Sequence, residues 1–105
     1  MATNKEQFEF VKLVSLWLPR VVYYCEQNNT FATFGDAYRD PRCPYGSERS
    51  KHHERLAIDI NLIKNRKLIR DSQGHNKLGE EWKRINSNCT WGGRWGDYNH
   101  YSLKE

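Results

Sequence analysis

The sequence predicts an α+β domain in which helices cover one face of a small antiparallel sheet. Three observations predict it: an apolar stripe at helical spacing between residues 6 and 27, a strictly alternating segment between 56 and 62, and short β-favouring runs bounded by Asn- and Gly-containing turns. The 105 residues are expected to form one domain, 1–105, because two separate cores would each be too small to offset the entropy of ordering them. In so short a chain a bound metal would add to stability.

From Glu6 to Gln27, Phe10, Val14, Trp17, Val21 and Tyr24 recur in steps of four and three, one stripe of an amphipathic helix. Pro19 removes a backbone donor, so this helix is expected to kink or split near Ser15, and Asn28-Asn29 ends it. Thr30 to Arg39 reads as a short strand that bends at Gly35 into a loop, and Asp40 to Arg49, with two Pro and a Gly, is that loop. In the clearest strand, Leu56, Ile58, Ile60 and Leu62 alternate with Ala57, Asp59 and Asn61, which sends Asp59 to the face opposite the core. Lys64 to Lys67 is expected as a hairpin turn around Asn65, leading into a second short strand at Leu68-Ile69. Leu78 to Ile85 reads as a short helix, Asn86 to Asp97 as an irregular loop, and His100 to Leu103 as a last strand. Trp17 and Trp82 lie on helical stripes and belong to the core, whereas His75, between Gly74 and Asn76, reads as a plain loop residue.

Lys plus Arg is 17 against 13 for Asp plus Glu, a formal net charge of +4 that favours anionic partners without specifying one. The basic residues are scattered, and their one local group, Lys64, Arg66, Lys67 and Arg70, reads as a solvated face. Cys25, Cys43 and Cys89 are odd in number and contain no C-x-x-C pair, so reduced, unpaired thiols are expected rather than a disulfide framework or a cysteine zinc finger. The start of the chain lacks the basic n-region and the cleavage site of a signal peptide, so synthesis as a soluble cytoplasmic protein, without membrane insertion, is expected.

One constellation carries chemistry. Ser50-x-His52-x-x-Arg55-Leu56-Ala57-Ile58-Asp59 is followed much later by Asp97-x-x-His100. His52, Asp59 and His100 make a common three-ligand set for catalytic zinc, leaving the fourth tetrahedral position to water or substrate. His52 and Asp59 are seven residues apart and would lie on opposite faces of an unbroken strand, so a bend in His53-Glu54-Arg55 is required. Asp97 and His100 likewise need a turn, which Gly96 and Asn99 allow.

At these residues the chain resembles the zinc D-alanyl-D-alanine carboxypeptidases and L-alanyl-D-glutamate endopeptidases, a family that includes phage endolysins. The resemblance spans about residues 8 to 103. It rests on Gly35-Asp36-Ala37-Tyr38-Arg39, the Ser50 to Leu62 segment, Leu78-Gly79-Glu80-Glu81-Trp82, Trp91-Gly92-Gly93 and Asp97-Tyr98-Asn99-His100-Tyr101. It implies zinc held by His52, Asp59 and His100, with Asp97 as general base. Arg39 would touch substrate or its developing oxyanion, and Ser50 a substrate carboxylate. The implied partner is the stem peptide of peptidoglycan, cut between L-alanine and D-glutamate by a monomer. The implied setting is phage lysis, with synthesis in the host cytoplasm and action on the wall in the periplasm or outside. Arg55 departs from the pattern, standing where many relatives carry glycine.

Blander readings stand beside these. His52 next to His53 reads, alone, as a surface pair, and His53 becomes the ligand if the register is off by one. Asp59 alone is a solvent-facing polar residue, Asp97 a turn former, Arg39 an ion-pair partner and Ser50 a turn residue. Trp91, Trp95 and Tyr98 form either a substrate wall or, for Trp91, core. The sequence thus places a zinc site on the sheet face opposite the helices. Its rivals are D-alanyl-D-alanine cleavage, a wall-binding module with a vestigial zinc site, and a basic nucleic-acid binder for which no motif is present.

Overall fold

The computed structural model describes residues 2–38, 42 and 51–103. An N-terminal helix, α1 (Asn4–Gln27), leads into β1 (Thr30–Phe34); β2 (Ala57–Lys64), β3 (Lys67–Leu68), α2 (Ser72–Ile85), β4 (Cys89–Trp91) and β5 (His100–Leu103) follow. The antiparallel sheet has the order β1-β2-β5-β4, with β3 as a short addition to β2. The α+β class and the small antiparallel sheet are as expected.

The start of α1 is fixed by a reciprocal cap: the Thr3 side chain accepts from the Glu6 amide while the Glu6 carboxylate accepts from the Thr3 amide. The helix continues through Pro19 and is not split into two pieces. Both Pro19 and Ser15 lie on the solvent side, where the carbonyl that proline leaves without a donor can be satisfied by water. The core stripe is Phe10, Leu13, Trp17, Val21 and Cys25, with Val14 and Tyr24 half-buried at its margins.

The second correction concerns α2. It starts at Ser72, six residues before the expected Leu78, because Asp71 caps it by accepting from the Gly74 amide. His75 is therefore a helix residue and fully buried, not a loop residue. Its Nε2 bonds the Ile69 carbonyl, and its ring packs against Tyr98 with centroids 4.9 Å apart. Burial pushes its pKa below the ordinary imidazole value, against the Ile69 carbonyl and Asp71, which favour the cation. The third correction is the 86–97 segment, which holds β4 and a 3-10 turn at Gly92–Trp95 rather than irregular loop. The short Cys89–Trp91 strand pairs Trp91 with Tyr101, a long-range partner that no local pattern announces.

Both helices pack on one face. The Trp17 indole donates to the Leu78 carbonyl, and the Trp82 indole is shared between the Thr90 and Ser102 carbonyls, tying α2 to β4 and β5. Trp17, Trp82 and Tyr101 meet ring to ring beneath the sheet. Asn65 and Arg66 both have positive φ and close the β2–β3 hairpin with the twist that two-residue turns prefer. Lys64, Arg66, Lys67 and Arg70 are exposed, as expected of a solvated face. Cys25 and Cys89 are buried free thiols, and Cys43 lies outside the described residues. No described helix is long and apolar enough to cross a membrane.

Arg55 has a φ of 60°, the left-handed region, and its guanidinium sits 3.9 Å above the Tyr38 ring. Glycine adopts this conformation most readily, in keeping with the glycine that the resemblance implies at this position, and the ring contact is what arginine contributes in its place. Arg55→Gly and Arg55→Ala both lose that contact, but only alanine keeps the strain. Arg55→Gly is expected to be the more stable of the two by about 1 kcal/mol in urea unfolding; equal stabilities would remove the strain argument. For His75, a depressed folded pKa means stability present above the unfolded value and lost as pH falls toward the folded one. With chelator present, wild type is expected to lose more stability than His75→Gln between pH of about 7.5 and 5.5, and parallel losses would show the ring to be uncoupled from the titration.

Candidate metal centre

The site is built on the strand pair β2–β5. Asp59 lies directly opposite His100 in that ladder. The backbone of Asp59 is engaged on its other edge, since its N–H donates to the Asp36 carbonyl and its C=O accepts from the Gly35 amide, both at 2.8 Å. Asp59 and His100 are therefore a non-hydrogen-bonded pair, the type in which opposed side chains lie closest. Ile58 and Ile60 point to the core, so Asp59 and His100 share the face away from the helices, as the alternation predicts. Gly35 is needed here because a Cβ at this position would lie 2.9 Å from the Asp59 Cβ.

His52 arrives from a 3-10 turn, Lys51–Glu54, and the left-handed Arg55 makes the bend that the seven-residue spacing requires. The turn is closed by Leu56 donating to the Lys51 carbonyl, and Gln7 of α1 donates to the Glu54 carbonyl. His52 is 2% exposed, and its Nε2 lies 3.0 Å from Asp59 Oδ1. His100 Nδ1 lies 3.6 Å from the same oxygen, and the two imidazoles meet edge to face at 5.1 Å. Burial works to raise the Asp59 pKa, but the His100 and His52 imidazoles beside it outweigh burial and hold the carboxyl below its ordinary value. It is ionised near neutrality, as a ligand must be.

The three donor atoms lie within 4.8 Å of one another. A tetrahedral zinc about 2.0–2.1 Å from each donor sets donors about 3.3 Å apart, and the observed 3.0 Å and 3.6 Å bracket that value. Two imidazoles and a carboxylate suit zinc, and among the described residues no fourth ligand joins them, so this group can hold a metal with an open position. His53, the alternative ligand, does not belong to the group.

Asp97 stands beside it. Its side chain is 61% exposed, with Oδ2 3.8 Å from His100 Nδ1. The turn that carries it is pinned at four points: Asp97 N donates to Gly92 O, His100 N to Asp97 O, Ile60 N to Asn99 O, and the Trp91 indole to Tyr98 O. A side-chain bond from Asn99 to Asn61 adds a fifth. Gly92 fits only as glycine, because a Cβ would sit 2.5 Å from the Asp97 carbonyl and 3.2 Å from the His100 Cβ. Trp91 is core, whereas Trp95 is exposed on the next turn. Arg39 and Ser50 lie outside the described residues. Sequence reasoning missed His75 and the Asn61–Asn99 bond as supports of this turn; the Asp71-x-x-Gly74 cap was the available signal for the first.

The profile of a family described as D-alanyl-D-alanine carboxypeptidase matches residues 45–103, a span that contains His52, Asp59, Asp97 and His100. No curated protein matches the chain.

Gly92→Ala is expected to push Asp97 and His100 apart, costing about 1–3 kcal/mol of stability and weakening zinc binding measured by competition with a chromogenic chelator. Unchanged zinc affinity would show that the 92–97 contact does not position the group.

Proposed function

Because the chain belongs to the D-alanyl-D-alanine carboxypeptidase family, and so to the zinc metallopeptidases that act on peptidoglycan peptides, we propose that it hydrolyses the stem peptide between L-alanine and D-glutamate. The observation that carries the proposal is the convergence of His52, Asp59 and His100, with Asp97 at its rim, inside the matched span. When bound, zinc supplies Lewis acidity at the scissile carbonyl and lowers the pKa of water toward neutrality.

The chain's own residues do the rest. The Asp97 carboxylate, exposed and held beside the third ligand, takes the proton of the attacking water and returns it to the leaving amine. The nearly buried His52 and His100, both pinned to Asp59, hold the donor set rigid through this exchange. By resemblance Arg39 supplies positive charge where the tetrahedral oxyanion forms, and Ser50 receives a substrate carboxylate. The bond choice and the setting, a phage endolysin acting as a monomer on the wall after release from the host cytoplasm, follow from the same resemblance. D-alanyl-D-alanine cleavage is the second reading, favoured by the description of the matched family.

Mass spectrometry of purified peptidoglycan incubated with the zinc-loaded protein separates these readings. New chelator-sensitive termini at L-alanine and D-glutamate are expected. Released D-alanine would establish the carboxypeptidase instead, and zinc binding without product would leave a wall-binding module. Asp97→Ala is expected to keep zinc and lose about 10²–10⁴-fold in turnover, whereas His52→Ala loses both. Wild-type turnover in Asp97→Ala would sink the base assignment.

A further inference from the structure

A groove of about 770 Å³ runs between the start of α2 and the β4 turn. Its walls include Gln73 and Asn76 of α2, the Trp91 indole, and Arg94 and Trp95 of the 3-10 turn. Lys83 also reaches it, paired with Glu80 and stacked 5.9 Å over Trp91. Among the described residues no Asp or Glu lines it.

The groove adjoins the metal group through one turn, since Gly93 lines the groove and the neighbouring Gly92 carbonyl accepts from the Asp97 amide. The turn Gly92–Trp95 ends two residues before Asp97, so one short segment presents Asp97 to the metal group and Arg94 and Trp95 to the groove. The turn is held against α2 by Ser72 Oγ donating to the Gly93 carbonyl at 2.7 Å. Its position is therefore set by packing and does not wait for a ligand.

The chemistry of the lining selects among occupants. Trp95 is 64% exposed, and a single exposed indole would mean little alone. Here it borders side-chain amides, the hydroxyls of Ser72 and Ser87, and two cations. A planar ring offers a face to the C–H surface of a pyranose, amides and hydroxyls match its hydroxyl and acetamido groups, and Arg94, with no carboxylate in the described lining, favours an acidic sugar. A purely apolar peptide would leave these polar groups unsatisfied. We propose that the groove binds the glycan strand of peptidoglycan, seating amino sugars on Trp95 while the stem peptide that hangs from them lies across the metal group. The proposal rests on peptidoglycan being the substrate, and it adds a saccharide subsite to the peptide site.

The test uses the intact protein and a peptide-free oligosaccharide of alternating N-acetylglucosamine and N-acetylmuramic acid, titrated by NMR. Saturable shifts at Trp95, Asn76 and Arg94 are expected, with affinity at least tenfold weaker in Trp95→Ala and in an Asn76→Ala/Arg94→Ala variant. Both sets of substitutions lie in the groove lining, and Trp95 and Arg94 are exposed, so native chemical-shift dispersion checks that the variants fold. With turnover as the readout, both variants are expected to lose at least tenfold more kcat/KM on a glycan-bearing stem peptide than on the free peptide. No saccharide binding at millimolar concentration, binding undiminished in the variants, or equal losses on both substrates would each overturn the proposal, the last by showing that the groove holds peptide. Failure of zinc-loaded wild type to cut any wall peptide would sink the peptidase reading instead, and the saccharide titration stands apart from it.

Discussion

The register of β2 against β5 is the constraint on which the rest of this structure depends. It sets Asp59 opposite His100, and the bonds from Asp59 to Gly35 and Asp36 make that pair the close kind. A slip of one residue would turn Asp59 into the core and a leucine or isoleucine toward solvent, so the hydrophobic alternation of β2 and the position of a ligand are specified together. The helices serve that register from beneath. Trp17, Trp82 and Tyr101 fill the space under β2 and β5, and the divided indole bond of Trp82 fixes β4 beside β5.

Around this pair the chain recruits each remaining group by a different local device. His52 comes from a single 3-10 turn and a left-handed residue, Asp97 from a second 3-10 turn closed at Gly96. Neither device is regular secondary structure, and both are held by backbone bonds to neighbouring strands or turns. His52 and Asp97 thus come from irregular segments, while the sheet carries Asp59 and His100 and supplies the rigidity. Asp97 differs from the three residues of the metal group in being mostly exposed, which would suit the proton exchange proposed for it.

Much of this was legible from residues alone. Period two between 56 and 62 located β2 and aimed Asp59 correctly, and the spacing of His52 from Asp59 demanded the bend that Arg55 makes. What stayed hidden had non-local causes. The Cys89–Trp91 strand is too short to show a period and exists through its pairing with β5, and the early start of α2 depends on a cap at Asp71 that precedes a polar first turn. Continuity of α1 through Pro19 is likewise a tertiary outcome, since packing of Phe10 and Leu13 on one side and Val21 and Cys25 on the other outweighs one missing bond.

The donors of the metal group come from distant parts of the chain: His52 and Asp59 precede α2, and His100 follows it. An ion held there is a cross-link as much as a reagent, closing a loop that includes β3, α2 and β4 and removing conformations from the unfolded chain as a long-range disulfide does. β5 meets β2 over three residue pairs, with backbone bonds from Leu103 to Leu56 and from Ile60 to Asn99 at either end, so this closure would add a side-chain tie to a short ladder. An ion coordinated there would therefore couple the chemistry proposed for this group to the cooperativity of the domain, so that withholding the metal would loosen the fold along with the site.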